Sequence, residues 1–80
     1  MTIKEAVARR IMELSSQRDF SINGLANQAG IPPTTIYSIL NEKSKNPGAV
    51  TIQKICDGLE ISVREFFDSP LFEEIEPVVQ

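Results

Sequence analysis

The chain has no histidine and a single cysteine, Cys56, among its 80 residues. Neither a disulfide framework nor a zinc site can therefore be assembled within one copy. The four glycines are scattered, so no glycine-rich loop cradles a phosphate, and no paired acid and base stand out for catalysis. No apolar run approaches the ~18 residues of a membrane span, and the N-terminus lacks the pattern of a secretory signal. The expectation is a cytoplasmic protein that is not an enzyme and has no cofactor, no metal and no membrane partner. At 80 residues it forms one domain at most, and about 60% of the unfolded surface can be buried at this size.

An excess of positive charge is also missing: eight Lys and Arg stand against eleven Asp and Glu, a net charge of −3. The acids are unevenly placed. Asp68, Glu73, Glu74 and Glu76 lie in the last stretch with no base among them, which leaves residues 1–67 close to neutral, at +1. A body of that kind binds polyanions weakly without specific contacts.

What the chain does have is residues 21–41, SINGLANQAGIPPTTIYSILN, which read as two short helices and a tight turn. Ile22, Leu25, Ala26 and Ala29 fall at i, i+3, i+4 and i+7, one apolar stripe on a helix that Ser21 caps. Gly30 can take the positive φ found just past a helix end, and Ile31 plugs the turn. Pro32 forces Ile31 out of helical geometry, and Pro33 suits a first helical position, where no N–H is needed. The second helix, residues 33–41, buries Ile36, Ile39 and Leu40. Thr34, Tyr37, Ser38 and Asn41 fall almost opposite, a face that is uncharged and rich in hydrogen-bonding groups. Glu and Lys are the usual surface helix formers, so helix stability did not select these residues. Short hydroxyl and amide side chains beside an aromatic ring suit base edges in a major groove.

The preceding and following segments also read as helices. Thr2 and Glu5 form a capping-box pattern ahead of Ile3, Val7, Ile11 and Leu14, a helix from residue 3 to about residue 16. Lys4, Arg9 and Arg10 are assigned to its outward side with Glu5 and Glu13, a solvated face from which Lys4 or Arg9 could also reach a phosphate. Phe20 is placed to pack on Leu25 as a hydrophobic staple. After a loop with a turn at Pro47 and Gly48, Thr51 is read as the cap of a fourth helix burying Ile52, Ile55, Cys56 and Leu59. Cys56 is a core residue in this reading, because no His or other base is present to activate it. Ser62 and Glu65 open a short fifth helix that buries Val63 and Phe66 or Phe67.

This ordered set resembles the lambda-repressor-like family, the Cro/cI or Xre type of helix-turn-helix protein. The resemblance rests on Leu25, Ala26, Gly30, Ile31, Ile36 and Ile39 with the downstream run TIQKICDGLEISVREFF, and it covers roughly residues 3–68. It implies an all-α, compact five-helix domain, here residues 1–68, followed by an acidic apolar tail, residues 69–80. It also implies a transcription regulator, a repressor by preference, that binds double-stranded DNA as a homodimer and reads the major groove with helix 33–41. Many relatives carry Gln at the start of each helix of the pair, where this chain has Ile22 and Pro33. That departure moves the candidate base readers to Thr34, Tyr37 and Ser38, with Thr35 on the flank. The phosphate candidates are Ser21, Asn23, Asn41, Lys43, Ser44, Lys45 and Asn46. The dimer candidates are Phe67, Leu71 and Phe72, since relatives commonly pair through the last helix. The competing reading uses the same fold as a protein-interaction module, an antitoxin or accessory subunit, with the tail engaging a partner.

Overall fold

The computed structural model describes residues 1–41 and 46–78. Five α-helices follow one another: α1 (Ile3–Gln17), α2 (Ile22–Ala29), α3 (Pro33–Leu40), α4 (Ala49–Leu59) and α5 (Val63–Phe67), with a final 3₁₀ turn, Pro70–Phe72. The described residues contain no strand.

Each helix start is set by local chemistry. Thr2 and Glu5 form the full capping box of α1, the Thr2 hydroxyl accepting from the Glu5 amide at 3.2 Å. Ser21 accepts from the Gly24 amide at 2.9 Å and Ser62 from the Glu65 amide at 3.0 Å, each satisfying one of the orphan donors at a helix N-terminus. The fourth helix differs from the sequence reading. Gly48, not Thr51, is its N-cap, and Ala49 begins the helix. A threonine cap stabilises by only about 1 kcal/mol, and nothing in Ala49 or Val50 resists the extra turn of backbone hydrogen bonds.

Two helices end in the same way. Gly30 (φ 69°) follows α2 and Glu60 (φ 59°) follows α4, both left-handed. In each, the next residue returns its N–H to the helix, Ile31 to the Ala26 carbonyl at 3.1 Å and Ile61 to that of Cys56 at 3.0 Å. Both isoleucines then pack on the core, the hydrophobic contact that completes such a cap. Glutamate tolerates this conformation poorly. Glu60→Gly is therefore expected to raise stability by roughly 0.5–1 kcal/mol, the relief of strain exceeding the entropy gained by the unfolded chain. Urea denaturation checks this, and an unchanged or lower midpoint would contradict it.

The core joins Val7, Ile11 and Leu14 of α1 to Leu25 and Ala26 of α2, Ile36 and Ile39 of α3, Ile55, Cys56 and Leu59 of α4, and Ile61 and Phe66. Phe20 packs against this cluster, as expected of a residue placed before the α2 cap. Helices α2 and α4 make the largest interhelical contact. They approach closely at Gly58, where a Cβ would stand 2.8 Å from the Ala29 backbone nitrogen and 3.0 Å from its Cα.

Several side chains depart from the sequence reading. Ile3 is 40% and Val63 45% exposed, each the first residue of its helix. Ile52 is only half-buried, packed against the core from its edge. Arg10, assigned to the outward face, is buried at 8% exposure. Its guanidinium donates to the carbonyls of Phe66 (2.7 Å), Glu65 (2.8 Å) and Asp68 (3.4 Å) and pairs with Glu13. Arg18, just past α1, donates from Nε to the Leu59 carbonyl at 3.1 Å. Arg10 of α1 and its C-cap residue Arg18 thus donate to carbonyls at the ends of α5 and α4, that of Glu65 also accepting from the Asp68 amide.

The segment after α5 returns to the body. Ser69 caps the 3₁₀ turn, and Phe72 meets Phe67 with ring centroids 4.9 Å apart in an edge-on arrangement. Farther on, the Glu76 amide donates to the Met1 carbonyl at 3.0 Å and its carboxylate lies 3.3 Å from the Met1 amine. Of the tail's apolar residues, Leu71, Phe72 and Ile75 are thereby half-buried, while Val78 stays exposed.

Candidate nucleic-acid interface

The site is built outward from the turn between α2 and α3. Ile36 (0% exposed) and Ile39 (4%) fix α3 against the core and decide which face it shows to solvent. That outward face carries Thr34, Tyr37 and Ser38, all exposed, with Tyr37 at 52%. At about 100° per residue these positions span roughly 100° of helix surface, one continuous strip. Thr35 lies at its edge and is half-buried. The sequence-based assignment of these four side chains to one surface therefore matches their placement, Thr35 on the flank included.

Helix α3 is one residue shorter than expected. It ends at Leu40, and Asn41 is its C-cap with extended backbone (φ −90°, ψ 125°), its amide donating to the Tyr37 carbonyl at 3.0 Å. Asn41 consequently leaves the helical strip, though it stays exposed. The other end is also unusual. Pro32 is the N-cap, with no side chain to accept a hydrogen bond, and Pro33 has no N–H to leave unsatisfied.

The start of α2 offers a second surface. Ser21 and Asn23 are exposed there, and the Ser21 hydroxyl is already engaged by Gly24. The backbone amides of Ile22 and Asn23 have no acceptor among the described residues, so they are available to an anion at the positive end of the helix dipole. Asn46 is exposed, whereas Lys43, Ser44 and Lys45 lie outside the described residues.

No charged side chain occurs anywhere from residue 21 to residue 41. The electrostatics of the α2–α3 surface are therefore those of helix ends, hydroxyls and amides, with formal charge absent. The remaining reactive group, Cys56, is buried in the core at 1% exposure. Burial pushes its thiol pKa up, and the neighbouring carboxylate of Asp57 pushes it further the same way; it stays protonated near neutral pH, as an inert core residue does. No group of three or more His, Cys, Asp or Glu side chains capable of holding a metal occurs among the described residues. None of the described helices is long and apolar enough to cross a membrane.

With this geometry in place, the likeness to known proteins can be assigned to particular elements. Residues 10–70 match the family described as the Cro/C1-type HTH DNA-binding domain, from the middle of α1 through the first residue of the 3₁₀ turn. The fold is similar to the crystal structure of prophage Lp1 protein 11, with a TM-score of 0.82 and 39% sequence identity over 94% of this chain and 99% of that one. It is also similar to the restriction-modification controller protein C.Esp1396I, with a TM-score of 0.75 and 24% identity over 84% of this chain and 85% of that one. No protein of curated function matches the chain. The family match extends over most of the chain, and the chain belongs to the Cro/C1-type helix-turn-helix DNA-binding domain family.

Proposed function

We propose that this protein is a sequence-specific transcription regulator of the cytoplasm that binds double-stranded DNA as a homodimer, reads the major groove with α3 and represses by occluding its site. The observation that supports this reading most strongly is the exposed, uncharged strip of Thr34, Tyr37 and Ser38 on a helix whose opposite side is locked into the core. Base edges display donors, acceptors and the thymine methyl, and side chains of this size and polarity meet them without the desolvation cost of a charge. Ser21 and Asn23, with the free amides at the start of α2, would hold a phosphate, and Lys43, Ser44, Lys45 and Asn46 follow α3 closely enough in sequence to serve the same backbone. Phe67, Leu71 and Phe72, half-buried within the chain, retain surface for a two-fold contact beside exposed Val63.

A dimer would place two α3 helices about 34 Å apart, one turn of duplex. Selection from a random duplex library at ~100 mM salt is expected to enrich a palindrome whose affinity exceeds that of a scrambled control by at least ~10³-fold. Tyr37→Ala should change the preferred sequence, whereas Lys43→Ala with Lys45→Ala should weaken binding to all DNAs alike and reduce its salt dependence. Enrichment of a single unpaired half-site would remove the dimer from the proposal. Absence of any enrichment would refute sequence reading and leave the fold as a surface for protein contacts.

A further inference from the structure

The chemistry of α3 is narrower than that of a general base-reading helix. Guanine is most often selected by Arg or Lys, bidentate to O6 and N7, and adenine by the amide of Asn or Gln at N6 and N7. Helix α3, PTTIYSIL, contains none of these residues. Exposed amides lie outside it, among them Asn27 and Gln28 on α2 and Asn41 at its C-cap. What α3 exposes is the hydroxyl and methyl of Thr34, the ring and hydroxyl of Tyr37, and the hydroxyl of Ser38.

Hydroxyls donate or accept with equal ease, so on their own they distinguish bases poorly. The discriminating groups on this strip are therefore its apolar ones, the Thr34 methyl and the Tyr37 ring. In the major groove only thymine presents an apolar group to meet them, its C5 methyl. Cytosine at the same position offers a bare ring carbon beside an amino donor. Pro32, the exposed N-cap two residues before Thr34, extends the apolar edge at the start of the helix.

We infer that the half-site beneath α3 is thymine-rich and is read through thymine C5 methyl groups, with Thr34 and Tyr37 as the specificity-determining residues. This rests on the reading of α3 as the base-contacting helix. Hydroxyl contacts from Ser38 and Thr34 then fix register on the same A·T pairs, accepting from adenine N6 or donating to thymine O4.

The test uses the full chain and the operator obtained by selection, with deoxyuridine substituted for each enriched thymine in turn. Uracil keeps every hydrogen-bonding group and loses only the methyl. Each substitution under α3 is expected to weaken binding about fourfold, the transfer value of one buried methyl group. Thr34→Ser, which removes the side-chain methyl and keeps the hydroxyl, should weaken binding to the thymine operator and have little further effect on the uracil operator at the contacted position. A circular-dichroism melt confirms that this exposed substitution leaves the fold intact. A palindrome with G·C pairs beneath α3, or an operator bound equally well with uracil, overturns the methyl reading and leaves sequence recognition by α3 standing. No enriched sequence at all overturns both.

Discussion

Gly58→Ala is expected to destabilise the protein by about 2 kcal/mol, lowering the melting temperature by roughly 10 °C for a domain of this size. The added methyl group would stand 2.8 Å from the Ala29 nitrogen and 3.0 Å from both the Ala29 Cα and the Gln28 carbonyl carbon. These are backbone atoms, which cannot turn aside as the end of a long side chain can. Overpacking of this kind costs about 1–3 kcal/mol, and alanine's better helix propensity returns up to about 1 kcal/mol of it. The clash prevails because it falls at the crossing of α2 and α4, the most extensive helix contact. Relief would require α2 to move as a unit, and α2 sets the position of the turn and of α3. Operator affinity should therefore fall even below the melting transition. A melting temperature within about 2 °C of the original would show that the two helices separate more freely than their packing implies.

Arg10→Met is expected to cost about 3 kcal/mol, a large share of the roughly 4–12 kcal/mol that holds an 80-residue domain folded. Methionine keeps most of the apolar stem and removes the donors, leaving the Phe66 and Glu65 carbonyls without the guanidinium at 2.7 and 2.8 Å. The contribution lies in the fork that reaches successive carbonyls at the end of α5. Arg10→Lys should therefore recover little of the loss, since a single ammonium cannot bridge them. Glu13→Gln should cost under about 1 kcal/mol, because the Glu13 carboxylate is 43% exposed and its pairing with Arg10 is screened by water. Hydrogen exchange adds a second readout, with amides of α5 and the 3₁₀ turn losing protection before those of α2 and α4. If Glu13→Gln destabilised as much as Arg10→Met, the ion pair would be the main contribution and the carbonyl contacts secondary.

Arginine 10 also marks where sequence reasoning stopped short. At about 100° per residue it falls about 60° from Val7 and about 40° from Leu14, at the margin of the apolar stripe of α1 and next to buried Ala6. The angular signal was present. Its charge favours exposure, but a long stem with a forked head serves equally well to reach buried carbonyls. The carbonyls themselves lie 55 to 58 residues away in sequence, and no local pattern announces them. Gly58 was equally silent. As a glycine near the end of a helix it had an ordinary local meaning, and only the approach of Ala29 shows why a Cβ is excluded.

The sequence by itself determined the helices, the capped starts of α1, α2 and α5, the Gly30 turn and the side of α3 that faces solvent. Each depends on residues within a few positions of one another, so periodicity and capping preferences carry them directly. The one-residue overrun at Asn41 and the false start at Thr51 are errors at element ends, where alternatives differ by about 1 kcal/mol. Tertiary structure alone decided the rest. It placed Arg10 and Arg18 at the ends of distant helices, closed α2 on α4 at Gly58 and folded the acidic tail back against Met1 and α1. Those contacts join residues far apart in the chain, and what selects among them is mutual fit in three dimensions, a quantity that no stretch of sequence contains.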